Sequence, residues 1–304
     1  MLLTEMFYWV LNISIMGGIA GLIVLLMRRI KTIPRFAVYV LWLLPLIRLW
    51  LPFGIANEYS FLSLLSKFTT KTVVIHKDLP ELTMSNCVMG AKTYFPIEYK
   101  TDLLKSIFNI ASVIWIIVAI AALFAAVLLY AFTKSELKNV EIIKDNIYRS
   151  DKITTPAVYG IIHSKIIIPA GLALGDIDYI IMHENVHIKR KDNLLRVVAV
   201  ITACIHWFNP LSWIFLKCCF EDMELACDSK VLKTLNEKQA KDYACAILAC
   251  ASGKAYFASA FGGAKARSRI ENILSYKKLT ALSSLCFAAL IAAIFIIIIT
   301  NAAV

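Results

Sequence analysis

Four long apolar blocks leave this chain few folds to choose from: residues 6–27, 36–56, 106–132 and 279–300. A helix needs roughly 20 apolar residues to cross a hydrocarbon core of about 30 Å, and each block meets that length. All four are expected to be transmembrane helices. They also explain why 60% of the 304 residues are hydrophobic. The first block has no basic region before it and no small-residue cleavage site after it, so it is expected to remain in the mature protein rather than leave as a signal peptide.

Orientation follows from lysine and arginine in the short loops. Arg28, Arg29, Lys31 and Arg35 crowd the turn between the first two blocks, whereas Glu5 is the only charge before the first. That turn is expected to be cytoplasmic and the N-terminus outside. Alternation then puts 57–105 outside, 133–278 inside and the tail from 301 outside, with Lys277 and Lys278 at the inner mouth of the last helix. The chain reads as a multi-pass plasma-membrane protein. Its net charge of +11 is accounted for by basic residues flanking membrane helices, where anionic headgroups attract them. No basic stripe interleaved with stacking aromatics is present, so membrane lipid is an expected partner and nucleic acid is not. Of the eight cysteines, only Cys87 falls in the expected outer loop, and an odd outer thiol implies no disulfide framework.

The expected layout is three membrane helices in 1–132 with an outer loop at 57–105, a cytoplasmic domain at 133–278, and the fourth helix with a short tail at 279–304. Within the domain, 140–169 has strand character, and 157–168, rich in Val, Ile and Tyr between Pro156 and Pro169, reads as an antiparallel hairpin. From Asp176, a candidate N-cap, the pattern becomes helical, with apolar spacing at Ile177, Ile180, Ile181, Leu194 and Leu195. A fifth apolar block, 194–220, is interrupted by His206 and by Asn209-Pro210. Proline disfavours helix in the residue before it, so two arms of about 14 and 10 residues are expected, each too short to span.

The chemistry lies in HENVH, at 183–187. Residues four apart on a helix are about 6 Å apart along the axis and about 40° apart around it, so His183 and His187 can hold one metal. Glu184 sits about 100° round from His183, the position of a general base acting on water. A catalytic zinc takes three protein ligands and leaves a fourth position for water. The best third candidate is Glu224, in EDMELACD at 221–228, with Glu221 as a competitor on roughly the same face. Glu224 and Asp228 are again four apart, so one can bind zinc while the other hydrogen-bonds the free ring nitrogen of a zinc histidine. If 194–220 crossed the membrane, Glu224 would lie about 30 Å from His183. The block is therefore expected to fold back at Asn209-Pro210, packed on the other helices or dipping into the inner leaflet.

HENVHIKRKD, HWFNP at 206–210 and ELACD at 224–228, with three membrane helices before and one after, resemble the BlaR/MecR-type membrane metalloprotease family. The similarity covers essentially the whole chain and is strongest over 155–232, including PAVYG and KIIIP. It implies a mainly α integral membrane protein with four transmembrane helices and a cytoplasmic α+β, gluzincin-like zinc metalloprotease domain between the third and fourth. It also implies His183, His187 and Glu224 as zinc ligands and Glu184 as catalytic base, which favours Glu224 over Glu221, with Asp228 as the ring-nitrogen partner. In that family the protease relays an antibiotic signal by cleaving itself and inactivating a transcriptional repressor, turning on resistance genes. A cytoplasmic repressor is thus the expected substrate. Sensor members continue into an outer penicillin-binding domain, whereas this sequence stops at Val304. Either the chain is truncated, or a separate sensor protein or the 57–105 loop is expected to receive the signal.

Two other readings stay open: a quality-control or processing membrane zinc protease, against which HWFNP and ELACD argue, and a non-catalytic signalling receptor with a structural zinc site. The substrate-binding residues and the oligomeric state, monomer or homodimer, are not legible. The edge of the 159–168 hairpin is expected to bind substrate as an added strand, and 252–264 is expected to hold a self-cleavage site. His206 with Trp207 reads as an interfacial pair, Arg48 as snorkelling, and Lys189 to Lys191 as offsetting a helix dipole. Tyr159 and Tyr243 are undistinguished oxyanion donors.

Overall fold

The computed structural model describes residues 2–30, 32–51, 56–57, 102–136, 140–153, 155–161, 164–172, 174–251, 266–276, 281–299 and 301–302. The expectations for Cys87 and for 252–264 lie outside these residues.

The molecule is mostly helical, with one small sheet. Helices α1 (Leu2–Arg28) and α4 (Asp102–Glu136) contain the stretches Leu3–Arg28 and Ser106–Ser135, each long and apolar enough to cross a membrane. The last helix, α10 (Ala281–Ile299), carries a shorter apolar stretch, Leu285–Ile296. The second apolar block differs from its expected single helix. It forms α2 (Arg35–Leu41) and α3 (Leu43–Trp50), broken at Trp42. Pro45 has no N–H to give the Leu41 carbonyl, and its ring crowds that carbonyl, so the helical ladder is interrupted there. Arg48, expected to snorkel, is buried at 3% exposure.

The fifth apolar block folds into a helical hairpin of α6 (Asp192–Ile205) and α7 (Pro210–Leu232). Pro210 occupies the first turn of α7, where its missing N–H costs nothing, and the Asn209 side chain caps the helix by accepting from Leu211 N at 3.0 Å. Asn209 Nδ2 also donates to Ser14 Oγ at 2.9 Å, and the Phe208 ring centroid lies 6.0 Å from that of Phe7. Ser14 lies about 21 Å along α1 from Arg28 at 1.5 Å per residue, so the tip reaches the middle of α1. His206, read as interfacial, is buried, with Nε2 3.1 Å from the Leu49 carbonyl. Small residues on α1 let its neighbours approach: a Cβ on Gly21 would lie 2.1 Å from Phe215 of the hairpin, and one on Gly17 2.4 Å from Leu49 of α3.

The strands β2 (Glu141–Lys144), β3 (Ile147–Ser150), β4 (Ala157–Tyr159) and β5 (Lys165–Pro169) form a sheet in the order β2-β3-β5-β4. The expected hairpin is β4–β5, antiparallel, and β3 joins β5 in parallel. A separate two-residue parallel pair joins β1 (Ala56–Asn57) to β6 (Asn301–Ala302). Ile166 and Ile168 are fully buried under Ile177, Ile181 and Ile188 of α5 (Leu174–Arg190), which fixes the sheet on that helix. Asp176 lies inside the first turn of α5 rather than at its cap, where its charge complements the dipole. The apolar periodicity through Leu195 conceals a break: Lys191 adopts a left-handed conformation, φ 56°, between α5 and α6. Helices α8 (Glu237–Ala251) and α9 (Ala266–Leu274) close the far side, with Val231, Leu232, Tyr243, Ile247 and Ile273 forming one cluster.

Candidate metal centre

Helix α5 presents His183 and His187 from successive turns, both buried, with their Nε2 atoms 3.2 Å apart. Helix α7 brings Glu224 opposite. Its carboxylate lies 3.2 Å from His183 Nε2 and 3.5 Å from His187 Nε2. Glu221 is not part of this cluster. It turns to Arg28 at the end of α1, 2.5 Å away, while the adjacent Asp222 takes Arg28 Nε and the Trp42 indole N–H. The two acids that sequence geometry left in competition thus serve different sides of α7.

Both outer ring nitrogens are held. His187 Nδ1 donates to Asp192 Oδ2 at 2.6 Å, and Asp192 is also bonded by Arg190 and by the Tyr39 hydroxyl at 2.8 Å. His183 Nδ1 lies 2.8 Å from the Tyr243 hydroxyl and 3.2 Å from Asp228 Oδ1. A carboxylate only accepts, so Tyr243 donates to Asp228, at 2.5 Å, and accepts from His183. With a proton on each Nδ1, each Nε2 carries a lone pair; both face Glu224, and the Arg269 guanidinium also reaches that of His183, at 3.2 Å. That donor set fits a zinc ion: two imidazoles and a carboxylate, with the imidazoles oriented by outer acceptors.

The site is electrostatically dense. Burial disfavours the charge of Glu224, but His187, His183 and Arg269 outweigh it and hold the carboxyl well below its usual range. Burial also opposes Asp228, which Arg269 and His183 keep ionised in the same way. Arg196 donates to Glu224 Oε1 at 2.7 Å, and Arg269 NH2 donates to Asp228 Oδ1 at 2.7 Å. Glu184 is buried at 8% exposure, one residue on from His183. Burial, then Asp176, pushes the nearby Cys250 thiol up to about 11, so it stays protonated at neutral pH.

A second donor set overlaps the first. His183, His187 and Cys227 offer atoms all within 4.8 Å of one another. The Cys227 thiol, however, already donates to the His183 carbonyl at 3.2 Å, whereas the Glu224 oxygens face the two Nε2 atoms.

Sequence reasoning did not single out Asp192, Arg196 or Arg269, and it assigned no role to Tyr243, which is fully buried and turned to His183. Asp192 alone left a signal, as the last residue of HENVHIKRKD. The hairpin edge expected to bind substrate, β4, is indeed an edge of the sheet. The Val158 carbonyl of β4 and the Gly160 carbonyl just beyond it already accept from Asn193 Nδ2, at 3.0 and 2.9 Å.

The family model described as BlaR1 peptidase M56 matches residues 8–275. The chain is 37% identical over 103 residues to Regulatory protein BlaR1 of Bacillus licheniformis, covering 33% of this chain and 17% of that protein. It is 36% identical over 105 residues to Methicillin resistance mecR1 protein of Staphylococcus aureus, covering 33% and 18%. It is also 30% identical over 178 residues to Regulatory protein BlaR1 of Staphylococcus aureus, covering 50% and 30%. The chain thus spans less than a third of the length of each of these relatives. With the family model extending over most of α1, all of α4 and the whole candidate centre, the chain belongs to the BlaR1 peptidase M56 family.

Proposed function

We propose that the chain is a zinc metalloendopeptidase of the plasma membrane that cleaves a cytoplasmic transcriptional repressor, and itself, to induce β-lactam resistance genes. The observation that carries the peptidase reading is the convergence of Glu224 with the two histidine Nε2 atoms at 3.2 and 3.5 Å. His183, His187 and Glu224 are the ligands in this reading. Zinc, when bound, supplies the Lewis acidity that polarises a carbonyl and acidifies water. Glu184 accepts the proton of the attacking water and returns it to the leaving amine. Asp228, through Tyr243, and Asp192 hold the imidazole tautomers.

Four membrane spans with the metal centre on the inner side are supported by two contacts. Arg28, in the basic turn, is paired with Glu221 and Asp222 of the ligand helix. Asn57 and Asn301, expected outside, belong to the paired strands β1 and β6. The regulatory role rests on the relatives' names, which speak of regulation and methicillin resistance. Cleavage of a co-expressed neighbouring DNA-binding repressor is expected from the native chain and not from Glu184→Ala, which keeps its zinc. Undiminished cleavage by that variant would sink the assignment. Cys227 within the donor cluster favours a second reading, a signalling receptor with a closed, structural site. Zinc retention without cleavage by the native chain would support it.

A further inference from the structure

Helix α2 reaches the metal centre. The Tyr39 hydroxyl donates to Asp192 Oδ1 at 2.8 Å, and the other oxygen of that carboxylate takes His187 Nδ1 at 2.6 Å. The face of the Tyr39 ring carries the Arg190 guanidinium, 4.7 Å from the centroid. Arg190 bonds Asp192 in turn and donates to the Met223 carbonyl at 3.0 Å. Met223 immediately precedes Glu224 on α7. One side chain of α2 therefore touches the two groups that connect to His187 on one ligand helix and to the neighbour of Glu224 on the other. Asp192 is wholly buried, Tyr39 is 9% exposed, and neither has water to substitute for a lost partner.

We propose that Tyr39 is a positioning residue of the metal centre, through which α2 sets the orientation of His187 and the approach of the Glu224 helix. Ring and hydroxyl divide the work. The hydroxyl fixes which way the Asp192 carboxylate turns, and so the tilt of the imidazole. The ring holds Arg190 where it can bridge Asp192 to α7. Movement of α2 would accordingly reach His187 through Asp192 and reach α7 through Arg190. This rests on the metallopeptidase reading and names a structural input to it.

The test uses the full chain in detergent with cobalt(II) as the probe, followed by its ligand-field absorption. Tyr39→Phe keeps the ring under Arg190 and removes only the hydroxyl. It is expected to weaken cobalt affinity about tenfold, the low end of the range for outer partners of metal histidines, and to shift the absorption bands. Trp50→Phe is the matched control, because Trp50 Nε1 donates to Thr202 Oγ1 of α6 at 2.6 Å without reaching the centre. It should leave affinity and spectrum unchanged. In an Asp192→Asn background, Tyr39→Phe should have no further effect, since a residue acting through another is non-additive with it. An unchanged Tyr39→Phe, an equal shift in Trp50→Phe, or full additivity with Asp192→Asn would overturn the proposal. Failure of the native chain to bind cobalt would remove the metal reading and this inference together, and is distinguishable from the other outcomes.

Discussion

The Glu224 carboxylate lies 3.2 Å from His183 Nε2, across 41 residues of chain and from a different helix. Cys227, three residues further along α7, forms a donor group with the same two histidines. The two candidate ligands are separable by substitution. Glu224→Gln is expected to reduce zinc affinity by orders of magnitude, whereas Cys227→Ser should change it by less than about tenfold, below the range for losing an outer partner of a metal histidine. Competition with a chromogenic chelator measures both. The reverse ranking would transfer the ligand role to Cys227.

Asp228 is expected to act on the metal without touching it. Asp228→Asn weakens the acceptor that holds Tyr243 and, through it, the His183 proton. Zinc affinity should fall about 10- to 100-fold, while the helical content measured by circular dichroism stays constant. Unchanged affinity would show that the Tyr243 relay does not orient the ring.

The metal-free and metal-bound forms are expected to respond to pH in opposite directions. Burial works against charge on His183 and His187, but Cys227, with Tyr243 and Asp228 at one ring and Glu224 and Asp192 at the other, raises both above the ordinary histidine range. A raised histidine stabilises the fold fully below its unfolded value, about 6.5, and loses that contribution as pH rises through the folded value. The depressed acids Glu224 and Asp228 lose theirs only on acidification below about pH 4, outside this window. Burial raises the Cys227 thiol, but the same histidines outweigh burial and lower it, which sets an opposing gain from one group against the loss from two. Chelated protein should therefore melt at lower temperature at about pH 9 than at about pH 6, while zinc affinity rises over the same interval as protons cease to compete. Scanning calorimetry with and without chelator checks both signs. A melting temperature of the chelated form that rises with pH would contradict the first.

Seating of the hairpin depends on Gly21. Gly21→Leu puts side-chain atoms where Phe215 now packs, and overpacking of this kind costs about 1–3 kcal/mol. The expected result is a lower melting temperature together with weaker zinc binding, because α7 carries both Phe215 and Glu224. A paired Phe215→Ala substitution should recover part of each loss. Gly21→Leu with native zinc affinity would mean that the hairpin seats independently of α1.

Local pattern carried much of this molecule. The turn at Asn209-Pro210 was legible because proline interrupts a helix from within its own few residues, and the pairs His183–His187 and Glu224–Asp228 were legible because helical geometry alone determines which side chains share a face. The break at Trp42 also had a local cause, the absent N–H of Pro45, although an unbroken apolar run concealed it. Lys191 had none: a non-glycine residue takes a left-handed conformation when surrounding contacts hold it there.

Composition and spacing thus determined the apolar blocks, the two-histidine helix and the acidic helix that could meet it. Tertiary structure decided which acid faces the histidines, sending Glu221 to Arg28 and Glu224 to the Nε2 atoms. It also recruited Tyr39, Asp192, Tyr243 and Arg269 around them. The physical reason is range. A helix face follows from neighbours three or four residues away, whereas the partner of a buried charge is chosen by whichever distant segment can satisfy it once water is excluded.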